Sequence, residues 1–231
     1  MNLSAADGLG NLRIQAASII RAWLLTGDLE PGKLYTVADF AAKLKVSATP
    51  IREALFDLAN EGLVEPVKNR GFRVLTLTEH DLDEIFELRM LLEVPAVRKI
   101  AQKGLGESAK SLKALIKEGQ RYAAEGDLPH FLESDRQFHL SLLELSGNHR
   151  LCSIVARLRD QTRLWGLPKL AEVGNLVPSA REHLQLLSAL EEGDGEAASE
   201  TLMHHLQHTR GIWAGKPESV KTVKTKIASR R

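Results

Sequence analysis

The chain has 231 residues, 43% of them apolar and 26% charged, and a formal net charge of +1, which is ordinary globular composition and room for one large or two small domains. A net charge this small excludes a uniformly basic nucleic-acid coat. It leaves room for a local basic face, because phosphate attraction depends on where the cations sit. No apolar run approaches the ~18 residues of a membrane span, residues 1–10 lack the pattern of a secretory signal, and the single cysteine, Cys152, excludes an internal disulfide and fits a reducing cytoplasm.

The chain divides near Thr76–Thr78, giving expected units at 1–76 and 79–214 and a basic tail at 215–231 without apolar pattern, expected to be disordered. The first predicted helix covers 12–25, with Ile19, Ile20, Trp23 and Leu24 as its apolar stripe, and ends before the Pro31-Gly32 turn. Thr36 caps a short second helix with Val37, Phe40, Ala41 and Leu44 inward. After the tight turn Lys45-Val46-Ser47 a third helix runs to Asn60, with Pro50 in its first turn, where a missing N–H costs nothing. Two β-type runs, 63–67 and 72–75, flank Lys68-Asn69-Arg70-Gly71 and predict a hairpin. Three helices followed by a hairpin are the elements of a winged helix-turn-helix.

Beyond Thr78 the sequence reads as six helices, at about 79–103, 107–125, 128–146, 148–172, 177–192 and 195–214. Thr78 caps the first, with Glu79 and Asp81 in the opening turn, and Pro95 predicts a kink. Short glycine-containing breaks between them predict an antiparallel helical bundle, so the fold class is mainly α. Cys152 shares an apolar stripe with Leu151, Ile154, Val155 and Leu158 and reads as a small core residue.

A helix-turn-helix reads DNA by placing the N-terminal side chains of its recognition helix at base edges in the major groove. Here those are Ser47, Thr49 and Arg52. The Arg52 fork matches the two acceptors of guanine, and the hydroxyls of Ser47 and Thr49 suit phosphates. The wing adds Lys68 and Arg70 beside Gly71, taken as a flexible point against the minor groove. The plain alternative for Arg52 is a solvated residue paired with Glu53 or Asp57.

The stretch Leu44-Lys45-Val46-Ser47-Ala48-Thr49-Pro50-Ile51-Arg52-Glu53-Ala54-Leu55, with Glu61-Gly62-Leu63-Val64, Arg70-Gly71-Phe72-Arg73-Val74 and the upstream Gly27-Asp28-Leu29-Glu30-Pro31-Gly32, resembles the GntR family of bacterial repressors. The resemblance implies a homodimer on palindromic operator DNA. This chain departs from the family at Ala48 and Ala38, where arginines that touch DNA are usual, and at Lys45, where glycine is usual. The first two imply fewer phosphate or base contacts, and hence an altered operator or weaker binding.

In the C-terminal part, Asp135 and His139 are four apart and share one helix face with Leu132, Leu142 and Leu143. A carboxylate on such a face is costly unless paired or metal-bound. The last two helices meet at Gly193-Asp194-Gly195, with His183 11 positions before Asp194 and His205 11 after it. In an antiparallel hairpin that places both at one depth, about 16 Å from the turn. Their apolar stripes point both inward. Three imidazoles and one carboxylate suit a divalent ion such as Zn, Ni, Mn or Fe. On spacing alone, a set of hydrogen-bonded core histidines is the other reading. His80, His130, His149 and His208 lie at helix ends or on polar faces and read as solvated, and His204 lies on a wet face.

Residues 79–214 resemble the FCD ligand-binding domain found in the fatty-acid-regulator branch of GntR proteins, through Glu87-Leu88-Arg89, Leu92-Glu93, Asp135-Arg136-Gln137-Phe138-His139, Gly147-Asn148, Glu182-His183 and His205-Leu206. The resemblance implies a metal at Asp135, His139, His183 and His205 and a small organic-acid effector beside it. Arg89 lies on the inward stripe of Ile85, Leu92 and Ala96 and is either a clamp for the effector's carboxylate or the partner of Glu93. Arg163 and Trp165 are further candidates for the effector cavity. Taken together the sequence reads as a cytoplasmic, ligand-responsive DNA-binding repressor and not an enzyme. The alternatives are a metal-dependent hydrolase using the same Asp/His cluster, against which no separate general base shares the face, and a regulator whose metal is purely structural.

Overall fold

The computed structural model describes residues 9–173 and 176–213, except for the side chains of 9, 10, 25, 163–173, 212 and 213. The expectations for Arg163, Trp165 and the tail 215–231 therefore lie outside the described residues.

Helix α1 (Leu9–Thr26) turns Ala16, Ala17, Ile20 and Leu24 to one side, the three- and four-residue spacing of a single helix face. Helix α3 (Ala48–Asn60) meets it with Ile51, Ala54, Leu55 and Leu58, all at 0% exposure. Burying a side chain of this size stabilises the fold by roughly 1.5–3 kcal/mol. Between them, α2 (Val37–Leu44) opens with a capping box: the Thr36 hydroxyl accepts the Asp39 N–H, and the Asp39 carboxylate accepts the Thr36 N–H at 2.8 Å. It ends at Lys45 with φ 57, the left-handed backbone that glycine adopts without steric cost. A lysine in this turn is thus held there by its surroundings, at a cost of about 1–2 kcal/mol.

The hairpin forms as expected from β2 (Val64–Val67) and β3 (Gly71–Val74), paired antiparallel with Val64 opposite Val74. Asn69 takes the left-handed conformation in the turn, φ 58. A third strand, β1 (Leu34–Tyr35), pairs with the far edge of β3, giving the order β1-β3-β2. Gly71 is not the flexible point expected. It is a half-buried strand residue at φ 127, and a Cβ there would lie 2.2 Å from the Tyr35 carbonyl oxygen. Glycine is needed so that β1 can close on the wing.

The bundle comprises α4 (Glu79–Lys103), α5 (Ser108–Glu125), α6 (Leu128–Glu144), α7 (His149–Val173), α8 (Val177–Glu191) and α9 (Gly195–Trp213). Thr78 and Asp81 make a second capping box at the start of α4, which continues through Pro95 as helix. α4 lies along α9, α5 along α6 and α8, and α8 against α9. Phe86, Ile100, Leu112, Ile116, Phe138, Leu142, Leu186 and Leu202 form the main core. The last turn of α9 returns to the start of α4: Arg210 donates to Asp83 and to the Glu79 carboxylate, each at 2.8 Å. α7 packs on α6 and α4 and also on α1 of the N-terminal part. Cys152 is half-buried on α7 against Ala96, Leu143 and Val155, at the margin of the core rather than within it, and burial pushes its thiol up; Ile154, expected on the same apolar stripe, is exposed. Among the described residues, no helix is long and apolar enough to cross a membrane.

Candidate DNA-reading surface and metal centre

Ser47 is the N-cap of α3, yet its side chain makes no capping hydrogen bond. Its hydroxyl is therefore left to outside partners, and Ser47, Ala48, Thr49 and Arg52 are all exposed. The pairing of Arg52 with Asp57 does not form. Asp57 is instead gripped by Arg13 of α1 at 2.6 and 2.7 Å, and among the described residues Arg52 has no ion pair. Lys68, Asn69 and Arg70 are exposed at the wing tip. Ala38 and Ala48 are exposed as well, so no burial requirement explains the missing arginines.

The bundle brings Asp135 and His139 of α6, His183 of α8 and His205 of α9 together, with one ligand atom from each within 4.8 Å of all the others. His139 Nε2 lies 3.2 Å from His183 Nε2, and Asp135 Oδ1 lies 3.7 and 3.3 Å from these two nitrogens. The three imidazoles are buried, with 1%, 4% and 2% of their residues' surface exposed. Burial pushes His205 down to about 4 and His139 well below its usual value, Arg159 adding to the latter. Both rings are therefore neutral near pH 7, the form that binds metal. Burial alone would raise the Asp135 carboxyl, but His183, His139 and Arg159 outweigh it and hold it well below the usual range. Neutral imidazole nitrogens converging on an anionic carboxylate are the donor set of a borderline divalent ion, so these residues fit one.

A second layer of side chains escaped the sequence reading. The Glu182 carboxylate accepts from His205 Nδ1 at 2.8 Å, and Glu93 Oε2 lies 3.5 Å from His139 Nδ1. Such contacts fix the ring so that Nε2 faces the site. Burial would raise Glu182, but hydrogen bonds from His205 and His208 bring it to about 2. His208 is thus not the solvated residue expected: its ring is 16% exposed and its Nδ1 lies 2.7 Å from Glu182. His204, His80 and His130 are exposed as expected. Arg159 of α7 donates to Asp135 at 3.0 Å and to Glu93 at 3.1 Å. Arg89 reaches the interior and pairs with Glu93 at 2.7 Å, as one of its two readings had it. Burial disfavours the charged Glu93, but the two guanidiniums overcome this and hold it well below the usual carboxylate range.

Arg89, Leu132, Asp135, Arg159, His205 and Thr209 line a cavity of about 20 Å³ beside the cluster, room for about one water. The buried Arg159 Nε has no hydrogen-bond partner among the described residues. An unsatisfied buried donor costs about 1–3 kcal/mol, so the position calls for an acceptor.

Comparison with known proteins finds two family matches along the chain. Residues 12–74 match the bacterial regulatory proteins of the gntR family, and residues 84–208 match the FCD domain. The Nta operon transcriptional regulator of Aminobacter aminovorans is 30% identical over 182 residues, 77% of this chain and 82% of that protein. A probable D-xylose utilization operon transcriptional repressor of Paenarthrobacter nicotinovorans is 30% identical over 201 residues, 84% of this chain and 87% of its own. The solved structure of E. coli McbR/YncC superposes with a TM-score of 0.78 at 28% identity, covering 88% of this chain and 97% of that one. The chain therefore belongs to the GntR family of bacterial regulatory proteins, as a DNA-binding transcriptional regulator with an FCD domain.

Proposed function

We propose that this regulator is a homodimeric repressor of a palindromic operator, released when a small carboxylate effector binds beside a divalent ion in the FCD bundle. The observation that carries the sensor reading is the convergence of Asp135, His139, His183 and His205 next to a buried guanidinium with an unsatisfied donor. The four residues would hold Zn, Ni, Mn or Fe, and the ion supplies a Lewis-acidic anchor for a carboxylate oxygen. Arg159 offers its Nε to the other oxygen, and Arg89, held by Glu93, adds positive potential behind it. With Asp135, Glu93 and Glu182 anionic and Arg89 and Arg159 cationic, the protein groups nearly cancel. With a dication held by these residues the site would be net positive and would favour an anion over a neutral ligand. The cavity must widen to admit it, which gives the effector two protein states to choose between.

On the DNA side, Arg52 reads a base, Ser47, Thr49, Lys68 and Arg70 hold phosphates, and Gly71 shapes the wing that carries Arg70. Two copies present two such surfaces to one operator.

The test is a thermal-shift screen of metal-loaded protein against small organic acids, repeated after chelation, followed by operator binding with each hit. A ligand specific to the folded state raises the midpoint by mass action. Hits that vanish on chelation and weaken operator binding support the reading. Metal found by elemental analysis, with neither hits nor any change in operator affinity on its removal, makes the ion structural and overturns the sensor.

A further inference from the structure

Three consecutive residues of α7 face three different parts of the molecule. Arg159 holds Asp135 of the cluster, together with Glu93. Asp160 accepts two hydrogen bonds from Arg136, the chain neighbour of Asp135, at 2.6 and 3.0 Å. Gln161 points away from the bundle, and its Nε2 donates to the Glu61 carbonyl oxygen at 3.3 Å. Successive helical residues are rotated by about 100°, so a single turn of α7 spans from the cluster to the N-terminal helices.

Glu61 is the C-cap of α3, the helix that carries Ser47, Thr49 and Arg52. The last carbonyls of a helix have no partner within it, so an outside donor there is an anchor for its end. The Glu61 carboxylate is already engaged by Arg21 of α1 at 2.7 Å. Gly62 follows with φ 75, and a Cβ there would lie 2.0 Å from Gln161 Nε2, so only glycine lets the amide approach. Next to this contact the two parts are separated by a polar cleft of about 570 Å³ lined by residues including Arg21, Glu61, Arg136, Arg157 and Asp160. Close apolar packing therefore does not fix their relative orientation at this place, and a single directional contact has leverage. The opposite end of α3 lies about 20 Å away at 1.5 Å per residue, so a small tilt at Glu61 becomes a larger displacement at the base-reading end.

We propose that Gln161 is a positioning residue for DNA binding, setting the orientation of α3 against the bundle from the same turn of α7 that holds the Asp/His cluster. In a dimer this orientation sets the distance between the two reading helices. That the cluster's state reaches α3 by this route rests on the sensor reading above; the positioning itself does not.

The experiment selects duplexes from a random pool with the full-length wild-type chain, Gln161→Ala and Gln161→Glu. The glutamate variant keeps the size and removes the donor. Both variants are expected to select the same half-site, since Arg52 is untouched, but with a broadened distribution of half-site spacings. Affinity for the duplex selected by the wild type falls roughly fivefold, the loss of about one ordinary hydrogen bond. Gln161→Lys, which retains a donor at that reach, restores the wild-type spacing. Amide exchange at residues 61–63 of the DNA-free protein is faster in Gln161→Ala and Gln161→Glu. Spacing and affinity unchanged within twofold in either folded donor-less variant overturn the proposal, as does a lysine variant that behaves like the alanine one. Adding Zn²⁺ to the wild type separates the two readings. Broadened spacing in Gln161→Ala supports the positioning even if Zn²⁺ leaves wild-type DNA binding unchanged and the sensor fails.

Discussion

His139 and His183 meet Nε2 to Nε2 at 3.2 Å, with Asp135 Oδ1 within 3.7 Å of both. A contact between two ring nitrogens can share one proton at most, whereas a cation between them satisfies both lone pairs and the carboxylate together. Adding Zn²⁺ or Ni²⁺ to chelated protein is expected to raise its melting midpoint. At a hundredfold excess over Kd the stabilisation is about 2.7 kcal/mol, roughly 5–10 °C for a protein of this size. His183→Ala is expected to lose that response. An equal rise in the variant, read by differential scanning fluorimetry, places the ion elsewhere.

Arg52 is exposed near the start of α3 and, among the described residues, has no ion pair. Arg52→Ala is expected to cost about 1–3 kcal/mol of operator binding and to relax preference at one base position in each half-site. Fluorescence anisotropy on a set of singly substituted duplexes distinguishes the roles, because a uniform loss on every sequence marks a phosphate contact instead.

Ala48 occupies the first turn of α3 with its side chain exposed. Ala48→Arg places a cation on this exposed first turn, between Ser47 and Thr49. Affinity is expected to rise several-fold at low salt, and the slope of log K against log salt to steepen by about one unit for each phosphate gained. If the slope is unchanged while the selected sequence shifts, the new guanidinium touches a base.

His205 controls a pH dependence whose sign is set by its depressed value. Its pKa is about 4 in the folded chain against 6.5 without the fold. Between those values the unfolded chain binds the extra proton, so stability rises with pH across the window and is lost as pH falls from 6.5 toward 4. The full effect is roughly 3 kcal/mol. Glu182, lowered to about 2 from 4.5, adds a loss of the same sign at lower pH. Urea denaturation of chelated protein at several pH values is expected to show the decline, and His205→Gln is expected to make it shallower above pH 4.5, leaving the part that His139 contributes. A variant slope equal to that of the wild type assigns the proton uptake to another group.

Glu93 is fully buried between two guanidiniums. Glu93→Gln leaves Arg89 and Arg159 without their shared anion and is expected to destabilise the chain by about 3–5 kcal/mol. Chemical denaturation measures it, and a loss under 1 kcal/mol shows that water or Asp135 takes over the pairing.

Helix ends in the bundle are legible in the sequence because glycines at 104, 126, 147 and 193 adopt positive φ at the breaks. The cluster is legible for a related reason: spacing about Gly193–Gly195 sets the depth of His183 and His205, and four-residue spacing joins Asp135 to His139. Strand β1 is not, since two residues carry no alternation to read. Glu93 is legible only as the four-residue neighbour of Arg89; its second partner, Arg159, lies 66 positions away, and nothing local distinguishes Arg159 from a solvated charge. His208 sits on a polar stripe, and only the fold brings the Glu182 carboxylate against it. Gly71 shows the converse limit: the sequence marks a glycine, but the neighbour that demands it, Tyr35, lies on another strand.

Arg210 at the end of α9 grips Glu79 and Asp83 at the beginning of α4, so the bundle starts and finishes at one place. Its connectivity can therefore be rewired without crossing the interior. In a bundle severed from the N-terminal part between Leu75 and Thr78, a short linker from the end of α9 to the beginning of α4, with new ends opened at Gly126-Asp127, keeps the packed helices and moves only the cut. The same closeness means that a domain fused directly after α9 emerges beside the junction with the wing, whereas one inserted at Gly126-Asp127 occupies the α5–α6 turn, away from that junction in the chain.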